Sequence, residues 1–305
     1  MKEAISISIG SSKRDKGVEI ELLGEKVHLQ RTGTDGDMKK AARMYEELDG
    51  KVDAFGVGGA DLGLTVGDRR YPLYSVLPMV KNVHITPIVD GTGLKMTLES
   101  QAGSVVESQI GEYLKIKRVF IVTAVDRWGL TQSFIKAGYE TLFGDMMFAL
   151  GLPFPIHSEE AVKRLAAIMM NVAGRLPFKW VYPTGKEQEK RTPKWEKYFQ
   201  WASVIAGDCH YIRRYMPEHL TGKVIVTNTT TPEDLDIFRK AGVKYLVTTT
   251  PVLEGRSFGT NMMEAAIIAA MGRKEPVDYV HPGNYFEEMG RVIRQLKMTP
   301  QIQEL

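Results

Sequence analysis

The chain has 305 residues, of which 40 are Lys or Arg and 37 are Asp or Glu, so its formal net charge is +3. With 43% hydrophobic and 25% charged residues, this composition is that of a folded soluble protein and argues against intrinsic disorder and a basic nucleic-acid-binding surface. The single cysteine, Cys209, excludes an internal disulfide framework and a multi-cysteine metal site, and it fits a reducing compartment. We therefore expect a cytoplasmic protein without a metal site.

A membrane-spanning segment is not expected. The longest apolar-rich run extends from Met262 to Met271 and is interrupted by Glu264. It is far shorter than the roughly 20 apolar residues that cross a bilayer.

Short strands and glycine turns dominate the first part of the chain. Alternation, β-branched content and helical periodicity predict strands over 5–9, 18–22, 26–30, 53–59 and 86–90 and helices over 37–48 and 94–114. We assign these elements to a smaller α/β domain over residues 1–116, which we expect to hold substrate.

After Lys117 the pattern changes to apolar strands that alternate with helices. Continuous apolar runs predict buried parallel strands over 118–123, 203–206, 223–227 and 244–248. We predict a Rossmann-like open parallel sheet over 117–260, followed by C-terminal helices over 261–305 that pack towards the first domain. The polar segment 183–197 is interpreted as a surface loop, with a mobile lid as the alternative.

Polar residues follow several of these strands. Ligands of open α/β sheets bind beyond the carboxyl ends of the strands. The predicted cofactor-binding residues are Thr123, Arg127, Gly129, Asp145, Asn228, Thr229 and Thr249. Capping of the following helices is the structural alternative for such residues, as at Thr231 and Asp208.

A dinucleotide site would leave a recognisable pattern. Asp145 lies about 20 residues beyond the loop at Arg127, where an acid binds the ribose of NAD, so NAD is favoured over NADP. The loop contains Gly129 alone and lacks the spacing G-x-G-x-x-G. His210, which follows a predicted strand with Asp208, is a candidate for acid–base catalysis.

The domain order, together with the stretches Asp90-Gly-Thr-Gly-Leu-Lys95 and Asp126-Arg-Trp-Gly-Leu130, resembles the quinate/shikimate dehydrogenase family. The resemblance implies an NAD(P)-dependent oxidoreductase acting on a small polyol or hydroxy acid. Lys95 would stabilise the developing alkoxide and Asp126 would orient the substrate hydroxyl.

An alternative function stays open on the same fold. A non-redox enzyme or a ligand-binding protein for a nucleotide or sugar phosphate would also use polar strand ends. In either case we expect a small-molecule ligand, neither nucleic acid nor membrane as partner, and a homodimer as the commonest assembly.

Overall fold

The computed structural model describes residues 1–177, 191–250, 252–253 and 256–305. The strands in chain order are β1 (Lys2–Ser8), β2 (Lys16–Leu22), β3 (Glu25–Gly33), β4 (Ala54–Gly58), β5 (Gly63–Val66), β6 (Arg69–Pro72), β7 (Ile88–Val89), β8 (Arg118–Ile121), β9 (Glu140–Phe143), β10 (Val204–Ala206), β11 (Val224–Thr227), β12 (Tyr245–Thr248), β13 (Val252–Leu253), β14 (Arg256–Ser257) and β15 (Gln301–Glu304). The α-helices are α1 (Met38–Leu48), α2 (Thr92–Thr97), α3 (Ala102–Ile110), α4 (Trp128–Lys136), α5 (Asp145–Leu150), α6 (Glu159–Ala173), α7 (Glu196–Trp201), α8 (Cys209–Tyr215), α9 (Pro232–Lys240), α10 (Thr260–Met271) and α11 (Tyr285–Gln295).

The chain divides into two compact units, each built from separate stretches. Unit 1 comprises Met1–Leu94, the described residues within Met169–Gly185, and Gly259–Leu296, and unit 2 comprises the rest. Both units contain parallel sheets with helices, which confirms the α/β class.

The limit between the units differs from the predicted one at 116/117, because it falls between Leu94 and Lys95. Helix α3 packs on α4 within unit 2, with Val106 and Ile110 buried. The predicted C-terminal segment 261–305 also divides: its helices belong to unit 1, and β15 belongs to the sheet of unit 2.

Unit 1 contains a five-stranded sheet in the order β2-β3-β1-β4-β7. Strands β2 and β3 form an antiparallel hairpin, and the other neighbours are parallel. The interior strand β4 is buried throughout, whereas the edge strand β2 alternates between half-buried and exposed residues up to the buried Leu22. Helix α1 contributes the buried Tyr45, whose hydroxyl donates to the carbonyls of Ile7 and Gly56 at 3.0 Å.

Unit 2 contains a six-stranded sheet in the order β15-β12-β11-β10-β8-β9, in which only the pair of β12 and β15 is antiparallel. Numbered along the chain, its parallel strands lie in the order 2-1-3-4-5. This is the flavodoxin-like order of doubly wound sheets, not the order 3-2-1-4-5-6 of dinucleotide-binding folds. The predicted open parallel sheet is therefore present, with a strand order that differs from that of dinucleotide-binding folds. Its topological switch point lies between β8 and β10.

Local predictions differ in outcome. Helix α9 begins with Thr231 as the expected cap; Thr231 and Asp234 form a capping box in which each side chain bonds the other's backbone N–H, and Gly242 follows the helix at φ +80°. The predicted helix over 94–114 is instead divided into α2, a 3-10 turn at Glu99–Gln101 and α3. Glu99 lies at the interruption with a fully buried side chain that pairs with Arg127, a contact invisible to local periodicity.

Residues 183–190 of the predicted loop or lid lie outside the described residues. Among the residues that are described, no helix is long and apolar enough to cross a membrane.

Candidate functional site

The carboxyl edge of the unit 2 sheet gathers most of the polar residues that the sequence singles out. Ligands of doubly wound sheets bind in the crevice at the switch point, which here lies beyond the ends of β8 and β10. Five charged side chains of unit 2 meet there, and we call them the acid–base cluster: Lys95, Glu99, Asp126, Arg127 and Asp208.

Arg127 lies at the centre of this cluster and is 4% exposed. Its Nη1 lies 2.6 Å from Glu99 Oε1 and its Nη2 lies 2.8 Å from Asp208 Oδ2. Its Nε lies 3.3 Å from Asp126 Oδ2. Its charge is already matched by carboxylates, so Arg127 organises the cluster, and the cofactor contact expected of it stays a prediction.

Lys95 and Asp126 form the second ion pair of the cluster. Lys95 Nζ lies 2.9 Å from Asp126 Oδ1, and Lys95 is 8% exposed. Burial opposes ionisation of Asp126, but Lys95 and Arg127 outweigh it and lower the pKa of the carboxyl. Asp126 is therefore ionised at neutral pH, next to a lysine donor.

The other two acids of the cluster differ from each other. At Asp208, burial is outweighed by Arg127 and His210, so the pKa is lowered. At Glu99, burial outweighs the attraction of Arg127 and Lys95, so the pKa is raised. The cluster thus combines carboxyl groups that hold a proton with unequal strength.

Two predicted residues surround Asp208. Asn228 Nδ2 donates to Asp208 Oδ2 at 3.1 Å, and Asn228 Oδ1 accepts from Cys209 N at 3.2 Å. The backbone N–H of His210 donates to Asp208 Oδ1 at 2.9 Å, and the His210 side chain is exposed.

The predicted threonines also lie at this edge. The hydroxyls of Thr123, after β8, and Thr249, after β12, are buried. Among the described residues, neither hydroxyl has a hydrogen-bond partner. The Thr229 hydroxyl lies 3.5 Å from the carbonyl of Phe258. Buried hydroxyls without a partner are costly, which distinguishes Thr123 and Thr249 from the hydrogen-bonded polar residues of this edge.

Asp145 and Gly129 support the backbone of the site. Asp145, which is 7% exposed, accepts from the N–H groups of Ala124 at 3.1 Å and Val125 at 2.9 Å. Burial outweighs these bonds and raises the pKa of Asp145 to about 6. A Cβ at Gly129 would lie 1.8 Å from the Lys95 carbonyl oxygen, so glycine lets α4 approach α2. The cofactor contacts expected of Asp145 and Gly129 stay a prediction.

Unit 1 contains a separate buried polar network. Arg70 pairs with Asp90 at 2.7 Å. The carboxylate of Glu264 accepts hydrogen bonds from Tyr279 at 2.8 Å, from Tyr285 at 2.5 Å and from the N–H of Gly93 at 3.0 Å.

Sequence reasoning missed the roles of both buried glutamates. Glu264 had a visible signal, since a charge inside an apolar helix requires partners. Glu99 had none, because its partner Arg127 is distant in sequence. No group of three or more His, Cys, Asp or Glu side chains in the described ranges is arranged to hold a metal ion.

Residues 93–305 match a family model described as domain of unknown function DUF8754. The chain belongs to this family. Residues 3–90 match a second model, domain of unknown function DUF8753. The junction of the DUF8754 and DUF8753 matches lies next to the limit between the two units, and not at the predicted boundary of 116/117.

A search of the curated proteins finds no match. The solved structures that are similar to this chain include an NAD-dependent malic enzyme from Thermotoga maritima, with 11% identity and a TM-score of 0.40; the match covers 95% of this chain and 77% of that chain. They also include a solute-binding protein from Burkholderia graminis in complex with D-arabinose (10%, 0.38, 100% and 94%) and a glucose-galactose binding protein from Geobacillus stearothermophilus (10%, 0.37, 100% and 96%). These TM-scores are too low to assign a shared fold or function, and the resemblance to quinate/shikimate dehydrogenases stays a prediction.

Proposed function

We propose that this chain is an enzyme that binds a small polyol or hydroxy acid at the carboxyl edge of the unit 2 sheet and polarises one of its hydroxyl groups. The observation that carries the proposal is the ion pair of Lys95 and Asp126 at the switch point, with Nζ and Oδ1 2.9 Å apart. An exposed ion pair is weak evidence for a functional site. Here, however, the lysine is buried and its partner Asp126 is held by Arg127.

Lys95 and Asp126 have distinct roles in polarising the substrate hydroxyl. The Lys95 ammonium would donate a hydrogen bond to the substrate oxygen and stabilise the negative charge that develops there. The ionised Asp126 would accept the hydroxyl hydrogen. Since 26% of the Asp126 side chain is exposed, a proton that reaches its carboxylate has a path to solvent. Arg127, Glu99 and Asp208 hold Asp126 in place.

The nicotinamide cofactor implied by the family resemblance does not fit the first βα turn of unit 2. A dinucleotide places its pyrophosphate against the N–H groups of that turn. Here the N–H groups of Ala124 and Val125 are bonded by Asp145, and the glycine spacing is absent. The proposed chemistry therefore has no step through NAD or NADP, although oxidation of the alcohol would require a hydride acceptor.

The N–H groups of Ala124 and Val125 also matter for the alternative function, in which the ligand is a nucleotide or a sugar phosphate. Its phosphate would need the same N–H groups. Binding of a sugar phosphate would support this alternative, and binding of NAD or NADP would support the cofactor that the family resemblance implies.

Calorimetric titration of the whole protein with polyols, hydroxy acids, NAD, NADP and sugar phosphates tests the proposal. We expect a polyol or hydroxy acid to bind, and we expect Lys95→Met and Asp126→Asn to weaken it by about tenfold or more while remaining folded. Lys117→Met, which removes a lysine paired with Glu107, is the matched control and should bind as the wild type does. Absence of polyol and hydroxy-acid binding, or equal binding by the Lys95 variant, would overturn the proposal.

A further inference from the structure

The first βα turn of unit 2 carries its own anion. Asp145 starts α5 after β9, the neighbour of β8, and its two oxygens bond the N–H groups of Ala124 and Val125. These groups belong to the βα turn that faces the phosphate in a doubly wound fold that binds a nucleotide. Asp145 is 7% exposed, and its carboxylate occupies the place that a phosphate would take.

The charges around the crevice also disfavour an anionic ligand. Glu99, Asp126 and Asp208 face only Lys95 and Arg127 within the acid–base cluster. Asp145 adds a further carboxyl group nearby, because Asp126 is among the groups that shift its pKa. An anionic ligand entering this edge would meet carboxylates whose repulsion is weakly screened in a buried site.

From this arrangement, and resting on the proposed function, we infer that the substrate is an uncharged, unphosphorylated polyol and that Asp145 is the residue that excludes phosphorylated ligands from the turn. Neutral hydroxyls would be bound by Lys95 and Asp126. A phosphate would have to displace the Asp145 carboxylate from the two amides, and a hydroxy acid would bind more weakly than the polyol of the same skeleton.

Amide NMR of the whole protein tests this inference at the atoms concerned. Inorganic phosphate and NAD are titrated separately while the resonances of Ala124 and Val125 are followed. For the wild type we expect no saturable shift up to about 10 mM of either probe. Asp145→Ser removes the carboxylate and leaves space, so phosphate should shift both amides with a dissociation constant lowered by about tenfold or more.

Asp145→Asn is the matched control, because its side chain has the same size and keeps the place filled. It should gain much less phosphate affinity than Asp145→Ser. A folded Asp145→Ser protein without any gain would overturn the inference. Saturable shifts of the two amides in the wild type would overturn it even if the serine variant failed to fold.

A parallel titration separates this inference from the proposed function. Binding of an uncharged polyol and of phosphate at the two amides of the wild type would refute the role of Asp145 and leave the proposed function standing. Exclusion of phosphate without binding of any polyol would support Asp145 as the excluding residue and refute the proposed function.

Discussion

Arg127 connects three carboxylates in the interior of unit 2. A buried ion pair adds little net stability, but removal of one partner leaves the other charges uncompensated. We expect Arg127→Met to lower the free energy of unfolding by about 3–5 kcal/mol, measured by chemical denaturation at pH 7.

The control for this substitution is Arg118→Met. Arg118 pairs with Glu140 at the surface, where the two side chains are 38% and 62% exposed. Exposed pairs contribute at most about 1 kcal/mol, so this variant should change stability far less. Equal losses in the two variants would show that the contacts of Arg127 are not energetically important.

Glu264 gives unit 1 a defined pH dependence. Burial raises its pKa to about 7, against the hydrogen bonds from Tyr285 and Tyr279 that lower it. The folded protein then holds this proton more tightly than the unfolded chain, whose glutamates titrate near about 4.3. The contribution of Glu264 to stability is therefore full below that pH and is lost as pH rises towards 7.

We expect Glu264→Gln to remove this part of the pH dependence, on the order of 3 kcal/mol between pH 4 and 8, when unfolding is measured across that range. Glu287→Gln, an exposed glutamate on α11, serves as control and should keep the wild-type profile. If the Glu264 variant also keeps the wild-type profile, the folded protein binds this proton no more tightly than the unfolded chain does.

At the scale of elements, the close approach of α4 to α2 depends on Gly129. A Cβ there would lie 1.8 Å from the Lys95 carbonyl oxygen, a backbone atom that cannot move independently. Overpacking of this kind costs about 1–3 kcal/mol, so we expect Gly129→Ala to destabilise the protein and to weaken polyol binding by displacing Lys95.

Gly111→Ala is the matched control for the glycine substitution. Its nearest neighbour is the flexible side chain of Glu107, 3.6 Å from the added Cβ. Thermal unfolding and calorimetry of both variants check the prediction. Unchanged stability and binding in Gly129→Ala would show that α2 and α4 adjust freely.

The elements that depend on local signals were predictable from sequence. Helix α9 follows from a capping threonine, a proline at the first helical position and an acid three residues after the cap, and its structure has that capping box. The division of the predicted helix over 94–114 was not predictable, since it accompanies the burial of Glu99 against Arg127. Strand ends indicated Asp126 and Asn228, but the contact of Asp145 with Ala124 depends on which strands are neighbours.

At the scale of the whole molecule, each compact unit is built from separate stretches of the chain. A change in composition near Lys117 suggested a boundary there, but contacts between α3 and α4 place residues 95–116 with the second sheet. Strand β15 joins that sheet from the end of the chain by pairing with β12. Such long-range pairing leaves no local pattern, so a linear reading of the sequence misplaced the boundary.

A crystal structure of the whole protein soaked with its tightest-binding uncharged polyol tests the central claim most directly. We predict ligand hydroxyls within hydrogen-bonding distance of Lys95 Nζ and the Asp126 carboxylate, with Asp145 still bonded to the amides of Ala124 and Val125. A polyol bound away from Lys95 and Asp126 would contradict the account.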